Sequence, residues 1–343
     1  MKALRMADVG RMDIVDLPDP HPGPGEVLIR VIATGICGSD LHGFTGENGR
    51  RVPGQVMGHE SVGTVAAVGD GVTGFRVGAP VTFNPVVVPE ADVEAYAGRE
   101  QLSPNKTVVG VAPDVVASFA QFVALPARNV VLLEETMPLE FGALVEPLAV
   151  AVHAVRCAGA GSEDAVLVTG AGPIGQSVVL ALQMHGVSRI AVTEVMASRR
   201  ELVAQLGVAA IDATRADAGD AVAAALGGPA DRAIDAVGIE PTLRSALTAT
   251  RIGGTVCLVG MGAPQLALDA FAISTGERAL VGSFTYSAQD FADAAAWIGT
   301  APDQARALIS RQVPLSEGPQ AFTDLAAGAD VPGKILVRLD QEG

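Results

Sequence analysis

The chain of 343 residues is short of aromatic side chains, lysine and cysteine. Aromatics make up 4% of it, so its apolar half rests on Ala, Val and Gly, small residues that suit close packing of helices on a sheet. Three lysines and no long Lys/Arg run, with a net charge of −15, repel phosphate backbones and anionic lipid and argue against a nucleic-acid or membrane-surface partner. Three cysteines, Cys37, Cys157 and Cys257, at wide and irregular spacing give no disulfide framework and fit a reducing compartment. No apolar core follows Met1-Lys2-Ala3-Leu4-Arg5, so no signal peptide is expected. The apolar stretches read as broken by Gly, Pro or charge short of transmembrane length. The expectation is a soluble, cytoplasmic protein of two domains.

Residues 1 to about 145 read as β-rich. Val27–Ala33, Ser61–Val68 and Ala79–Phe83 are short apolar runs, punctuated by turn clusters such as His21-Pro22-Gly23-Pro24-Gly25. Leu139–Ala158 reads as a long, mostly apolar helix. From Ala165 to about Gly282 strands alternate with helices: strands at 165–169, 189–194, 232–236 and 255–259, helices at 176–185 and 198–206. That alternation predicts βαβ units and a parallel sheet covered on both faces. A final strand is expected around 334–339. The fold class is α/β, with a β-rich domain beside a doubly wound one.

Gly170-Ala171-Gly172-Pro173-Ile174-Gly175 follows the strand ending at Thr169 and opens a helix. In that setting Gly170 makes the tight turn, Gly172 lets the backbone approach a pyrophosphate, and Gly175 lets the helix pack closely, with its N-terminal dipole toward the phosphates. Glu194 ends the next strand, 19 residues beyond Gly175. An acid there accepts ribose hydroxyls and repels a 2′-phosphate, which favours NAD. Arg199, a candidate cofactor contact, and Arg200 follow, and paired arginines would tolerate a phosphate and keep NADP open. The plain alternative is a glycine-rich turn in an ordinary α/β protein.

Three polar clusters remain: Cys37-Gly38-Ser39-Asp40-Leu41-His42, His59-Glu60, and Glu146 inside an apolar stretch. Cysteine, histidine and glutamate are zinc-ligand types. By spacing alone Cys37 reads equally as a buried hydrophobe and His59 as a structural histidine. Glu146 is harder to set aside, because a carboxylate among apolar residues needs a partner or a cation.

These segments, with Pro22-Gly23-Pro24-Gly25-Glu26-Val27, Gly58-His59-Glu60-Ser61-Val62-Gly63, Gly142 to Val150 and the glycine turn, resemble the zinc-containing medium-chain dehydrogenase/reductase family, in its sorbitol, threonine and butanediol dehydrogenase branch. The resemblance covers nearly the whole chain. It implies a GroES-like catalytic domain at 1–145 and 284–343, and a Rossmann NAD-binding domain at 146–283. It implies Cys37 and His59 as ligands of one catalytic Zn2+, Glu60 as a third ligand or one that exchanges with water, and Glu146 as a ligand directly or through water. Asp40 would orient His59, and Ser39 and His42 would pass the alcohol proton toward solvent. The implied reaction is hydride transfer between a small secondary alcohol (polyol, diol or amino alcohol) and NAD, by a homodimer or homotetramer joined near Thr255–Leu280. An NADP-linked carbonyl reductase and a non-catalytic nucleotide-binding protein are the alternatives.

The sequence departs from the family in three places. Many relatives hold a structural zinc on four cysteines, where this chain has Pro89, Asp92, Ala95 and Ser103. No structural zinc is therefore expected, and the lobe Val86–Lys106 is expected to rely on packing or a partner subunit and to be free to move. Thr285 stands where polyol dehydrogenases carry a substrate-binding arginine, which predicts a smaller, less charged pocket with Phe44 and Phe119 as candidate walls. Ala79-Pro80 replaces an acid and a base and reads as structural. His21, His153 and His185 read as structural or surface residues, and Cys157 and Cys257 as without partners at ligand spacing.

Overall fold

The computed structural model describes residues 1–341 except Asn48 and Arg50. They form two compact units, Met1–Glu146 with Ser287–Gly343, and Pro147–Tyr286.

The first unit is built on a seven-stranded sheet. Its order is Ile309–Pro314, Lys334–Arg338, Glu26–Gly35, Glu60–Val68, Pro80–Phe83 and Val130–Leu132, with Phe122–Pro126 paired to the first half of Glu26–Gly35. Only the first pair is parallel. Val27, Ile29, Val31 and Ala33 alternate into the core. Gly35 pairs with Glu60 on one side and with Leu336 on the other, which brings the start of the last strand beside Glu60. Phe44 and Phe119 are not pocket walls: both are buried and flank Phe322, with ring centroids 5.6 and 5.5 Å away, as core aromatics.

In the lobe expected to rely on packing or a partner, Val86, Val88, Gln101 and Ser103 are buried, and polar bonds add to that packing. Ser103 Oγ and Asn105 Nδ2 donate to Asp92 Oδ2 at 2.5 and 3.1 Å. Arg128 reaches Glu90 at 3.1 Å and the Val88 carbonyl at 2.8 Å.

The second unit is a parallel sheet. Its elements are β1 (Ala165–Thr169), α1 (Pro173–Met184), β2 (Arg189–Glu194), α2 (Ala197–Gln205), β3 (Ala209–Asp212), α3 (Ala218–Leu226), β4 (Ala230–Asp235), α4 (Glu240–Ala249), β5 (Thr250–Leu258), α5 (Ala270–Ser274) and β6 (Ala279–Gly282). The strand order is β3-β2-β1-β4-β5-β6, the doubly wound arrangement whose reversal point lies between β1 and β4. Every residue of β1 is buried, as its unbroken apolar run requires of a central parallel strand. A core of Leu167, Ala191, Ala233, Leu243 and Val256 joins the sheet to α3 and α4.

One apolar stretch is longer than the sequence reading allowed. Leu139–Ala158 has the length and hydropathy to cross a bilayer, but 78% of that window is buried within the protein, as in a core helix.

Candidate functional site

Cys37 ends the turn after strand Glu26–Gly35, and the short helix Gly38–Phe44 starts beside it. His59 directly precedes strand Glu60–Val68. The Gly35–Glu60 register then brings the Cys37, His59 and Glu60 ligand atoms within 4.8 Å of one another. Gly35 makes room for this, since a Cβ there would lie 2.4 Å from Glu60 Oε2. Bonds of about 2.0–2.3 Å from zinc to N, O and S put neighbouring ligand atoms roughly 3.5 Å apart, so this donor set needs only a small contraction around the ion.

The electrostatics also suit a cation. His59 is 5% exposed, and its buried Nδ1 has no hydrogen-bond partner. Burial opposes protonation of the ring, but the Asp40 carboxylate, the Cys37 sulfur and Glu146 together outweigh it, and the imidazole is pushed up to about 10. The negative groups around His59 thus draw positive charge to this position. Asp40 Oδ1 lies 3.6 Å from His59 Nδ1, beyond hydrogen-bond length, and 3.3 Å from Arg51 Nη2. Arg51 Nη2 also donates to Ser39 Oγ at 3.4 Å. His42 is 47% exposed at its side chain and 3.9 Å from Glu47. Glu146 is buried outside the 4.8 Å group, in the first turn of helix Val145–Ala158, close enough to act on His59 and Lys334.

Two participants escaped the sequence reading. Lys334 donates to both oxygens of Glu60, and both side chains are buried. Burial opposes the lysine charge, but Glu60, then Cys37 and Glu146, raise its pKa. The signal was there: Lys334 is one of three lysines in the chain and directly precedes the apolar run Ile335-Leu336-Val337. Arg51, with 1% of its side chain exposed, offered no comparable signal beside the charged and glycine-rich residues that precede it.

In the second unit Gly170 has φ 89°, and a Cβ on Gly175 would come 1.9 Å from the Gly170 carbonyl oxygen, so the turn and α1 meet backbone to backbone. Gly172 caps α1, and Pro173 and Ile174 form its first turn. Glu194 is buried at the end of β2; it accepts from Ala171 N at 2.8 Å, Val195 N at 2.7 Å and Met196 N at 2.9 Å. Most of its acceptor sites are therefore filled, leaving about one for a ribose hydroxyl rather than two. The two arginines do not act as a pair. Arg200 is bound to the carbonyls of Glu194 and Val195 and to Asp212, whereas Arg199 has a buried Nε without a hydrogen-bond partner and an Nη1 3.7 Å from the Cβ position of Gly172. A cavity of about 690 Å³ opens between α3 and α4, with Thr193 and Ala213 among its lining residues.

Thr285 adopts φ 54°, unusual for a β-branched residue, and its buried hydroxyl has no hydrogen-bond partner. Cys157 does have a neighbour: its sulfur is 3.6 Å from His153 Nε2, one helical turn away.

The family model described as alcohol dehydrogenase GroES-like domain matches residues 23–135, and that described as zinc-binding dehydrogenase matches residues 173–300. Sorbitol dehydrogenase of Gallus gallus is 31% identical over 339 residues, covering 96% of this chain and 94% of its own. The crystal structure of 2R,3R-butanediol dehydrogenase from Bacillus subtilis superposes with a TM-score of 0.88 at 29% identity, covering 98% of this chain and 99% of that one.

Proposed function

The chain belongs to the zinc-binding alcohol dehydrogenase family, and from that premise we propose that it moves a hydride between a secondary alcohol of polyol, diol or amino-alcohol type and NAD. The observation that carries the reading is the convergence of Cys37, His59 and Glu60 in one group whose surroundings draw positive charge. Relatives named for sorbitol and for 2R,3R-butanediol support the polyol and diol classes.

Cys37 and His59 would hold one Zn2+, with Glu60 or Glu146 completing the protein ligands, and no structural zinc is proposed. Zinc would supply a Lewis acid for the substrate oxygen, and NAD the hydride acceptor. Asp40, buried between His59 and Arg51, would hold the imidazole in place. Ser39 Oγ, accepting from Arg51, keeps its own proton free to donate, and His42 is exposed enough to hand a proton to water. Lys334 offsets the charge of Glu60 and leaves that carboxylate two alternatives, the ammonium or the metal.

Gly170, Gly172, Pro173, Ile174 and Gly175 would cradle the pyrophosphate, and Glu194 would accept from the adenosine ribose. The buried Arg199 Nε, without a hydrogen-bond partner, favours a second reading, NADP-linked reduction of a carbonyl on the same scaffold. Thr285 in place of an arginine supports a small, weakly charged substrate. A homodimer or homotetramer is proposed through β6, which ends the sheet near the exposed Phe271 and Phe284. The cytoplasm is the compartment implied, since Cys37 binds metal only when reduced.

The test is NADH formation by zinc-loaded protein across polyols, vicinal diols, amino alcohols and simple secondary alcohols, with NADP in parallel. Turnover with NAD on one class is expected. Turnover with NADP alone overturns the cofactor reading, and silence with both cofactors in protein that takes up no zinc when supplied with it overturns the enzyme reading.

A further inference from the structure

Asp235, the last residue of β4, is fully buried and takes no part in the chemistry above. Its Oδ1 accepts from Thr169 Oγ1 at 2.9 Å, Val237 N at 3.0 Å and Gly238 N at 3.1 Å. Its Oδ2 accepts from Thr242 Oγ1 at 3.0 Å. Its main-chain carbonyl accepts from Val259 N at 3.0 Å and Gly260 N at 2.8 Å. One residue thus gathers the end of β1 just before the glycine turn, the loop after β4, the first turn of α4 and the loop after β5.

A buried carboxylate is costly unless its acceptor sites are filled, and here they are filled by neutral donors from separate loops. The loop it organises lies directly on the glycine turn. A Cβ on Gly170 would come 2.3 Å from Val237 Cγ2, and one on Gly238 would come 2.2 Å from the Gly260 carbonyl oxygen. Gly262 N and Ala263 N donate to the Val237 and Gly238 carbonyls, each at 2.9 Å. The loops after β1, β4 and β5 are therefore one layer at the carboxyl edge of the sheet, where doubly wound folds bind ligands.

We propose that Asp235 is a positioning residue for the dinucleotide: it fixes Val237 and Gly238 against the glycine turn, and so sets the surface on which the cofactor lies. The proposal rests on the dinucleotide reading above. The role is one of acceptor geometry rather than charge. In Asp235→Asn the amide oxygen can accept the three Oδ1 bonds, while the amide nitrogen donates to Thr242 Oγ1. Asp235→Ala leaves the Val237 and Gly238 amides and the Thr169 hydroxyl without an acceptor, while the Thr242 hydroxyl keeps the Ile239 carbonyl at 3.0 Å.

The experiment combines NADH titration, steady-state kinetics, zinc content and amide hydrogen exchange at Val237 and Gly238. For Asp235→Ala the expected result is NADH binding weakened about tenfold, a matching rise in KM for NAD, kcat at saturating NAD within about threefold of the parent, one zinc per chain and fast exchange at both amides. Asp235→Asn is expected to restore all of these to within about threefold. Should Asp235→Ala fail to fold, Thr169→Val removes only the bond beside the glycine turn and should weaken NADH about threefold. Fast exchange at Val237 and Gly238 with NADH binding and KM at parental values overturns the proposal, as does a folded Asp235→Asn that binds no better than Asp235→Ala. A parent that binds neither NADH nor NADPH overturns the dinucleotide reading and this one with it; a parent that binds, with variants that bind equally well, overturns this one alone.

Discussion

The cluster at Cys37, His59 and Glu60 and the one at Asp92, Ser103 and Asn105 both draw acidic and polar groups together from separate stretches of the first unit. In the second, every bond found is between a donor and an acceptor of the protein itself: the Asp92 carboxylate takes the Ser103 hydroxyl and the Asn105 amide. In the first, Sγ, an imidazole and a carboxylate face one another while His59 Nδ1 has no hydrogen-bond partner, and the ring is driven toward its cationic form. Residue types alone do not separate the two clusters. What separates them is that neutral donors complete the second, whereas the first still draws positive charge to His59 although Lys334 already neutralises Glu60, and that remaining need is one a metal ion meets.

The contrast is open to attack, most forcefully at the ligands. Cys37→Ala or His59→Ala should strip the zinc and lower kcat/KM by about a thousandfold or more, read by metal analysis and turnover together. Loss of activity with zinc retained would move the metal elsewhere.

Next in size is Lys334→Met, which leaves the Glu60 carboxylate buried without its cation. Metal-free protein should lose about 3–5 kcal/mol of stability, and zinc-loaded protein less, because Glu60 then has the metal to turn to. Equal losses with and without zinc would mean that Glu60 never meets the ion.

The pH dependence follows from His59. Its folded-state pKa of about 10 lies above the ordinary 6.5. In metal-free protein the stability it contributes is full below about pH 6.5 and is lost as pH rises through about 10. Zinc must displace that proton, so between those limits His59 alone should raise apparent zinc affinity about tenfold per pH unit, its one proton adding to any that the Cys37 thiol gives up. Calorimetry in buffers of different ionisation heat measures the count, and no proton release at pH 8 would contradict the arrangement.

The smallest effect is expected at the self-contained cluster. Asp92→Ala should cost about 1–2 kcal/mol in thermal unfolding, leave turnover within about twofold, and be indifferent to chelators. A chelator-dependent Tm that vanishes in Asp92→Ala would make this lobe a metal site after all.

What the sequence revealed was mostly what lies close along the chain. The bounds of β2, Arg189–Glu194, agree with the reading from the sequence, and the turn from Gly170 to Gly175 declares itself because strand, turn and helix are contiguous. The helices α3 and α4 and the strands β3 and β6 went unread: α3 is an alanine-rich run with little alternation, and β3 and β6 span four residues each. At the candidate site the ligand types were visible, but the groups that set their charge were not. Lys334 lies 274 residues from Glu60, and no periodicity links residues across that distance. Phe44 and Phe119 misled for the same reason, since Phe322, which decides that they are core, comes from the far end of the chain. The backbone strain at Thr285 has no sequence signature, because threonine ordinarily avoids that region.

The placement of Lys334 also dictates an order of assembly. During synthesis the strand carrying Glu60 emerges early, while the ammonium that neutralises it is made 274 residues later. Until then, closing the first sheet would bury a carboxylate with no counter-charge, and the gap between Glu26–Gly35 and Ile309–Pro314 would stay unfilled. The second unit, continuous from Pro147 to Tyr286, has all its strands in hand before the ribosome reaches that point. The nascent chain should therefore complete its second unit before its first, so a chain cut just before Lys334 would leave a folded second unit attached to an unfinished first one.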